Sequence, residues 1–225
     1  MDRPQFVPFD PSAPVRIYWR NLPHWRQEGC IYFVTFRLAD SIPVDIARAW
    51  TAERKAWLKC WGIDDGLSRS DYRRRYLAIP HGQRRAFERL EARRFLTELD
   101  NCHGRCELRD PRARETLIEA LHFQDGQRAH CGDFVIMPNH GHWLVLPALQ
   151  VKLENVVGSV KRHSSGEINK LVQRSGMLWQ KESFDRIVRD RRELEWYRAY
   201  IEGNPRAACL SVDEYTYYRA DWLDE

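Results

Sequence analysis

Residues 134–146 read FVIMPNHGHWLVL: an apolar run of strand composition stops at the turn pair Pro138-Asn139 and resumes as His140-Gly141-His142-Trp143-Leu144-Val145-Leu146. Side chains alternate along a strand, so His140 and His142 share one face. Two imidazoles side by side make half of a metal site without choosing the metal. A solvated pair of surface histidines is the plainer alternative, but neither ring is an obvious packing choice in so apolar a strand. A second segment, RDRRELEWYRAYIEGNP over 189–205, supplies further chemistry. Asp190 followed by Glu193 has the form of a helix start with a capping box. Leu194, Tyr197 and Ile201 recur at helical spacing, and Gly203 and Pro205 mark the expected stop. Tyr200 and Asn204 then share a face one turn apart. A phenol beside an amide carbonyl would set a nucleophile next to an ion held by His140 and His142; the alternative is a packed Tyr and an Asn serving as helix C-cap.

The combination is more specific than its parts. The segments Pro138-Asn139-His140-Gly141-His142-Trp143, Leu178-Trp179-Gln180, Asp185-Arg186-Ile187-Val188-Arg189 and Tyr200-Ile201-Glu202-Gly203-Asn204 resemble the single-tyrosine HUH transposases, in the branch of REP-associated tyrosine transposases. Asn21-Leu22-Pro23-His24-Trp25 followed by Tyr32–Leu38 resembles the same branch, and the likeness runs in order from about residue 20 to 210. It implies Tyr200 as catalytic nucleophile and His140, His142 and Asn204 as ligands of a divalent metal, Mg²⁺ or Mn²⁺. Two departures stand out. Gly141 occupies a position that is usually hydrophobic, with an expected loss of strand propensity and of one packing contact. Asn204 stands where insertion-sequence relatives carry Gln, so the shorter amide must be brought closer to the metal.

The elements that must position these groups read as follows. Residues 30–38 form a first strand, 43–60 and 71–98 charged helices, and Asp110-Pro111 starts a helix with Leu117, Ile118 and Leu121 as its buried stripe. Strands 128–137 and 140–147 make a hairpin, 153–173 a helix, 178–188 a last strand and 190–203 the final helix. The order β-α-β-β-α-β plus a helix is the ferredoxin-like split βαβ arrangement, an α+β class with an antiparallel sheet. The chain is expected to be one domain over 1–225. Residues 1–29, punctuated by Pro4, Pro8, Pro11, Pro14 and Pro23, read as an extended DNA-contacting segment. Residues 43–98 read as a helical insertion with too few apolar residues for its own core.

With 36 basic against 32 acidic residues the formal charge is only +4, but thirty of the basic residues are Arg. Arg forks onto phosphate and stacks on bases, although a GC-rich genome gives the same bias. Basic clusters interleaved with aromatics suit single-stranded nucleic acid; His24, Trp25, Lys161, Arg162 and Arg186 are the candidate DNA contacts. No stretch approaches a membrane span and the N-terminus lacks an apolar signal region, so a cytoplasmic location is expected. The six cysteines are then expected to be reduced. Cys102-His103-Gly104-Arg105-Cys106 lacks the second pair that a zinc site needs.

The resemblance implies a nickase and strand-transferase acting on single-stranded hairpin DNA of a repeated extragenic palindrome through a 5′-phosphotyrosine intermediate, as monomer or homodimer and without a membrane partner. Two other readings stay open: a non-catalytic DNA-binding protein of the same fold, and a metal-dependent nuclease using water.

Overall fold

The computed structural model describes residues 4–19 and 23–224; Asn21 and Leu22 of the opening motif lie outside them. The chain forms two compact units, Met1–Ser41 with Arg105–Glu225, and Ile42–Gly104.

The first unit is built on an antiparallel sheet. Its strands are β3 (Tyr32–Arg37), β4 (Ala129–Ile136), β5 (His140–Pro147), β6 (Phe184–Ile187) and β7 (Thr216–Tyr218), in the order β6-β3-β5-β4-β7. Without β7 this is the split βαβ order, so the α+β expectation holds. An antiparallel hairpin, β1 (Arg16–Trp19) with β2 (Pro23–Arg26), precedes the sheet. Helices α4 (Pro111–His122) and α5 (Leu153–Leu171) supply Leu117, Leu121, Val156, Val160 and Ile168 to one core, which the sheet meets with Val34, Phe36, Phe134, Ile136, Trp143 and Val145. Helix α6 (Arg191–Ala207) places Leu194, Tyr197 and Ile201 in a second core with Ile31, Phe33, Val135 and Leu144. Strand β5 is therefore buried on both faces, which is why its sequence reads as an apolar run rather than an alternation.

Local chemistry sets the helix starts. Asp110 accepts the amide of Arg112 with Pro111 at the first helical position, and Asp190 accepts the amide of Glu193 at 2.7 Å. Glu193 reaches back to the Arg189 amide at 2.8 Å.

The other unit holds α1 (Val44–Cys60), α2 (Arg69–Ala78) and α3 (His81–Asp100). Leu58, Ile63, Tyr76, Ile79 and Leu99 are buried within it, and Trp57 stacks on Phe87 at 3.9 Å.

Several boundaries differ from the sequence expectation. The helix expected over 71–98 is two, because Pro80 drives Ile79 to ψ 132° and out of the helical region. The strand expected over 178–188 bridges Leu38 at Trp179, leaves the ladder, and resumes as β6. The Lys161 ammonium takes the carbonyls of Gln180 (2.5 Å) and Lys181 (3.2 Å) in that detour. Helix α6 runs past Gly203 and through Pro205 to Ala207, the proline forgoing the bond that an N–H at 205 would give to the Ile201 carbonyl. Strand β7 and the β1–β2 hairpin were not foreseen in the sequence.

Gly141 is the most informative correction. A Cβ there would lie 2.9 Å from Phe36 Cζ and 3.0 Å from its Cε2. Phe36 in turn packs edge-on against Trp179 at 5.3 Å. The expected loss of a packing contact does not occur: an aromatic ring from the neighbouring strand fills the place of the missing side chain. Gly141→Val should thus overpack this core and lower stability by about 1–3 kcal/mol in urea unfolding. Adding Phe36→Leu should recover part of that loss, while the imidazoles on the opposite face keep their spacing. A neutral Gly141→Val, or losses that simply add in the double variant, would refute this packing account.

Candidate active site

The pairing of β3 with β5 aims the histidines. Thr35 lies opposite His142 in register, and Val135 of β4 lies opposite it on the other side. His140, His142, Thr35 and Phe33 share the face that α6 covers. Both imidazoles are fully buried, as are Thr35 and Asn139. Asn139 Oδ1 lies 2.7 Å from His140 Nδ1 and, as an acceptor, fixes the proton on that nitrogen. Thr35 Oγ1 lies 2.8 Å from His142 Nδ1. A hydroxyl donates or accepts, so it accommodates either tautomer of His142. The two Nε2 atoms then face each other at 3.1 Å.

Helix α6 brings the remaining groups to this point. Tyr197 stacks on Phe33 at 4.2 Å and is buried; burial pushes its phenol well up. One turn later the Tyr200 hydroxyl reaches His142 Nε2 at 3.3 Å, and Asn204 Nδ2 donates to the Tyr200 oxygen at 3.3 Å. Asn204 lies inside the helix rather than at its C-cap, which leaves its amide available to the site. The helix is pinned to the sheet by the Arg198–Asp133 ion pair at 2.9 Å. Asp133 sits in a bulge of β4 and also accepts the Ala220 amide at 2.9 Å.

This arrangement fits a divalent cation. Adjacent ligands of an octahedral ion held at roughly 2.1 Å are roughly 3 Å apart, the separation of the two Nε2 atoms. Each ring's far nitrogen is held by an oxygen, the pattern that orients a ligating histidine. No group of three or more His, Cys, Asp or Glu is gathered for a metal among the described residues; the third donor is the amide of Asn204. All three are neutral, so a bound cation would keep its whole charge for an anionic substrate.

Of the five candidate DNA contacts, His24 is buried with Nδ1 2.7 Å from Asp185, and Lys161 also donates to Ser183 at 3.2 Å. With Arg26, which forks onto Asp185 at 2.5 and 2.9 Å, they line a pocket of about 300 Å³. Asp185 pairs with Val34, so this pocket opens on the face away from Tyr200. Arg186 lies on the Tyr200 side, paired with Glu193 at 2.9 Å. Trp25 and Arg162 are exposed. Thr35 and Asn139 were not singled out from the sequence; a hydroxyl inside CIYFVTFRL was the available signal for Thr35.

Burial holds the His140 imidazole down to about 3, against a small upward pull from Asn204, and holds His142 well below its usual value with help from its neighbour. The unfolded chain therefore takes up protons near pH 6.5 that the folded site refuses. In metal-free protein, stability should be complete above that pH and fall as pH drops toward 3, by up to about 1.4 kcal/mol per pH unit for each ring. His140→Gln should reduce this slope relative to the unaltered protein. An unchanged slope, or NMR titration of both imidazoles near pH 6.5, would show that the rings are not shielded as described.

Among the described residues no helix is long and apolar enough to cross a membrane. Comparison with the curated proteins gives no match. Among solved structures, that of a REP-associated tyrosine transposase bound to a REP hairpin is similar at 10% identity and a TM-score of 0.43, covering 84% of this chain and 73% of that one. Residues 111–204 match the family model described as transposase IS200 like. His140, His142, Tyr200 and Asn204 all lie inside the matched stretch.

Proposed function

We propose that this protein nicks and rejoins single-stranded hairpin DNA of the REP type, with Tyr200 as nucleophile. The observation that carries the reading is the convergence of the Tyr200 oxygen with the His140–His142 pair and the Asn204 amide, inside the stretch that matches IS200-like transposases.

His140, His142 and Asn204 would hold a divalent ion, Mg²⁺ or Mn²⁺. When bound, the ion supplies positive charge to a non-bridging oxygen of the scissile phosphate as negative charge builds there. The Tyr200 oxygen forms a bond to phosphorus while the bond from phosphorus to the 3′ oxygen breaks. The phenolic proton passes to solvent and the departing 3′ oxygen takes one up, leaving a 5′-phosphotyrosine and a free 3′-OH. The covalent link conserves the phosphodiester for rejoining. Asn204 Nδ2, already donating to the Tyr200 oxygen, stabilises negative charge on it during attack. Phe33 and Tyr197 exclude water beneath His142 and hold the helix that carries the nucleophile. Thr35 and Asn139 keep both imidazoles aimed.

Incubation with labelled single-stranded hairpin DNA and Mn²⁺, followed by a denaturing gel, tests this. A slow covalent protein–DNA band should form, vanish in EDTA, and vanish in Tyr200→Phe while hairpin affinity stays within about threefold. Tyr197→Phe should still form it. A band that survives Tyr200→Phe but not Tyr197→Phe would reassign the nucleophile. Cleavage without any adduct would favour a water-using nuclease, and tight binding without cleavage a non-catalytic DNA-binding protein.

A further inference from the structure

Trp196 is a large aromatic residue that the nicking chemistry does not use. It lies one turn before Tyr200 on α6, 56% exposed, in a protein whose Trp143 and Trp179 are buried. One face of the indole stacks on the Tyr200 ring, with centroids 5.6 Å apart and planes within 9°. Its edge meets Tyr197 at 5.0 Å. An indole left in water at more than half of its surface, beside a buried site, forgoes burial that a smaller polar residue would not need.

The surface around it is shaped to admit a flat partner. Arg192, Trp196, Ala199, Gly203 and Arg206 recur at three- and four-residue steps along α6 and are all exposed. They therefore form one stripe about 21 Å long. A Cβ at Gly203 would meet nothing within 4 Å, so the helix surface beyond Tyr200 is bare. Cations stand at both ends of the stripe and the aromatic ring between them. Glu195, next to the stripe, is taken up by Arg191 at 3.1 Å. Arginines flanking an exposed ring match a strand of phosphates with unpaired bases, because every base offers a π-face to stack and every linkage a charge to pair.

We infer that Trp196 is a stacking platform for an unpaired nucleobase of the single-stranded substrate, seated beside the phosphate that Tyr200 attacks. The inference rests on the reading of Tyr200 as nucleophile for its catalytic meaning, but the stacking itself can be measured without cleavage. With one indole face on Tyr200 and the other on a base, the ring would fix the position of the adjacent phosphate relative to the phenol oxygen. A base of any identity would serve, so Trp196 contributes position and affinity rather than sequence choice.

The test compares binding of a labelled 20-nucleotide oligothymidylate with that of a 20-unit abasic strand, which keeps the phosphates and lacks the bases. Trp196→Ala should weaken oligothymidylate binding about tenfold and leave abasic-strand binding unchanged. Trp196→Phe should restore most of the loss, which a merely structural defect would not show. Equal losses on both strands, or no loss on either, would overturn the inference. If the unaltered protein binds the two strands equally, base stacking is absent and the platform is refuted, whereas the nickase reading is judged separately by the Tyr200 adduct.

Discussion

The pairing register of β3 with β5 is the constraint on which the site depends. Because Thr35 sits opposite His142, the imidazole has an oxygen partner on the strand beside it and its Nε2 is turned toward His140. A slip of one residue would send both imidazoles into the opposite core, among Phe36, Phe134 and the helices α4 and α5. Two buried nitrogens at 3.1 Å are costly company without a proton or a cation between them. Burial on both faces makes the register hard to change, and it also keeps the two rings neutral and able to act as ligands.

The two faces of the sheet divide the labour. One carries a conventional apolar core, in which Gly141 yields its space to the ring of Phe36. The other is completed by α6, whose inward positions serve packing with Leu194, Tyr197 and Ile201 and site chemistry with Tyr200 and Asn204. A single helix therefore fixes the distance between the proposed nucleophile and the proposed metal ligands. Its own position is set by the buried Arg198–Asp133 pair, where removing either partner would strand a charge and shift the helix.

The parts of this arrangement legible in the sequence were those written in local patterns. The His-x-His alternation, the Asp190–Glu193 start and the four-residue step from Tyr200 to Asn204 follow from strand and helix periods. So does the split βαβ order of elements. What stayed hidden depended on partners far apart in the chain. Thr35 becomes a support for His142 only through strand pairing across more than a hundred residues, and the space left by Gly141 is explained only by Phe36. The detour before β6 is met by Lys161, a residue distant in sequence, which donates to the carbonyls of Gln180 and Lys181. Pro205 reads as a stop, yet a proline in the last turn sacrifices one bond and leaves the helix intact. His24 and Lys161, picked for charge and neighbourhood, are committed to Asp185 and to the loop before β6, on the face away from Tyr200.

The central claim is that the two facing imidazoles hold a divalent cation next to Tyr200. Electron paramagnetic resonance titration with Mn²⁺ at pH 7 tests it most directly, because free and bound ions are counted without any substrate or cleavage. The account predicts one bound Mn²⁺ per chain in the unaltered protein, lost in the His140→Ala/His142→Ala double variant and kept in Tyr200→Phe. Full Mn²⁺ binding by the double variant, or none by the unaltered protein, would contradict it.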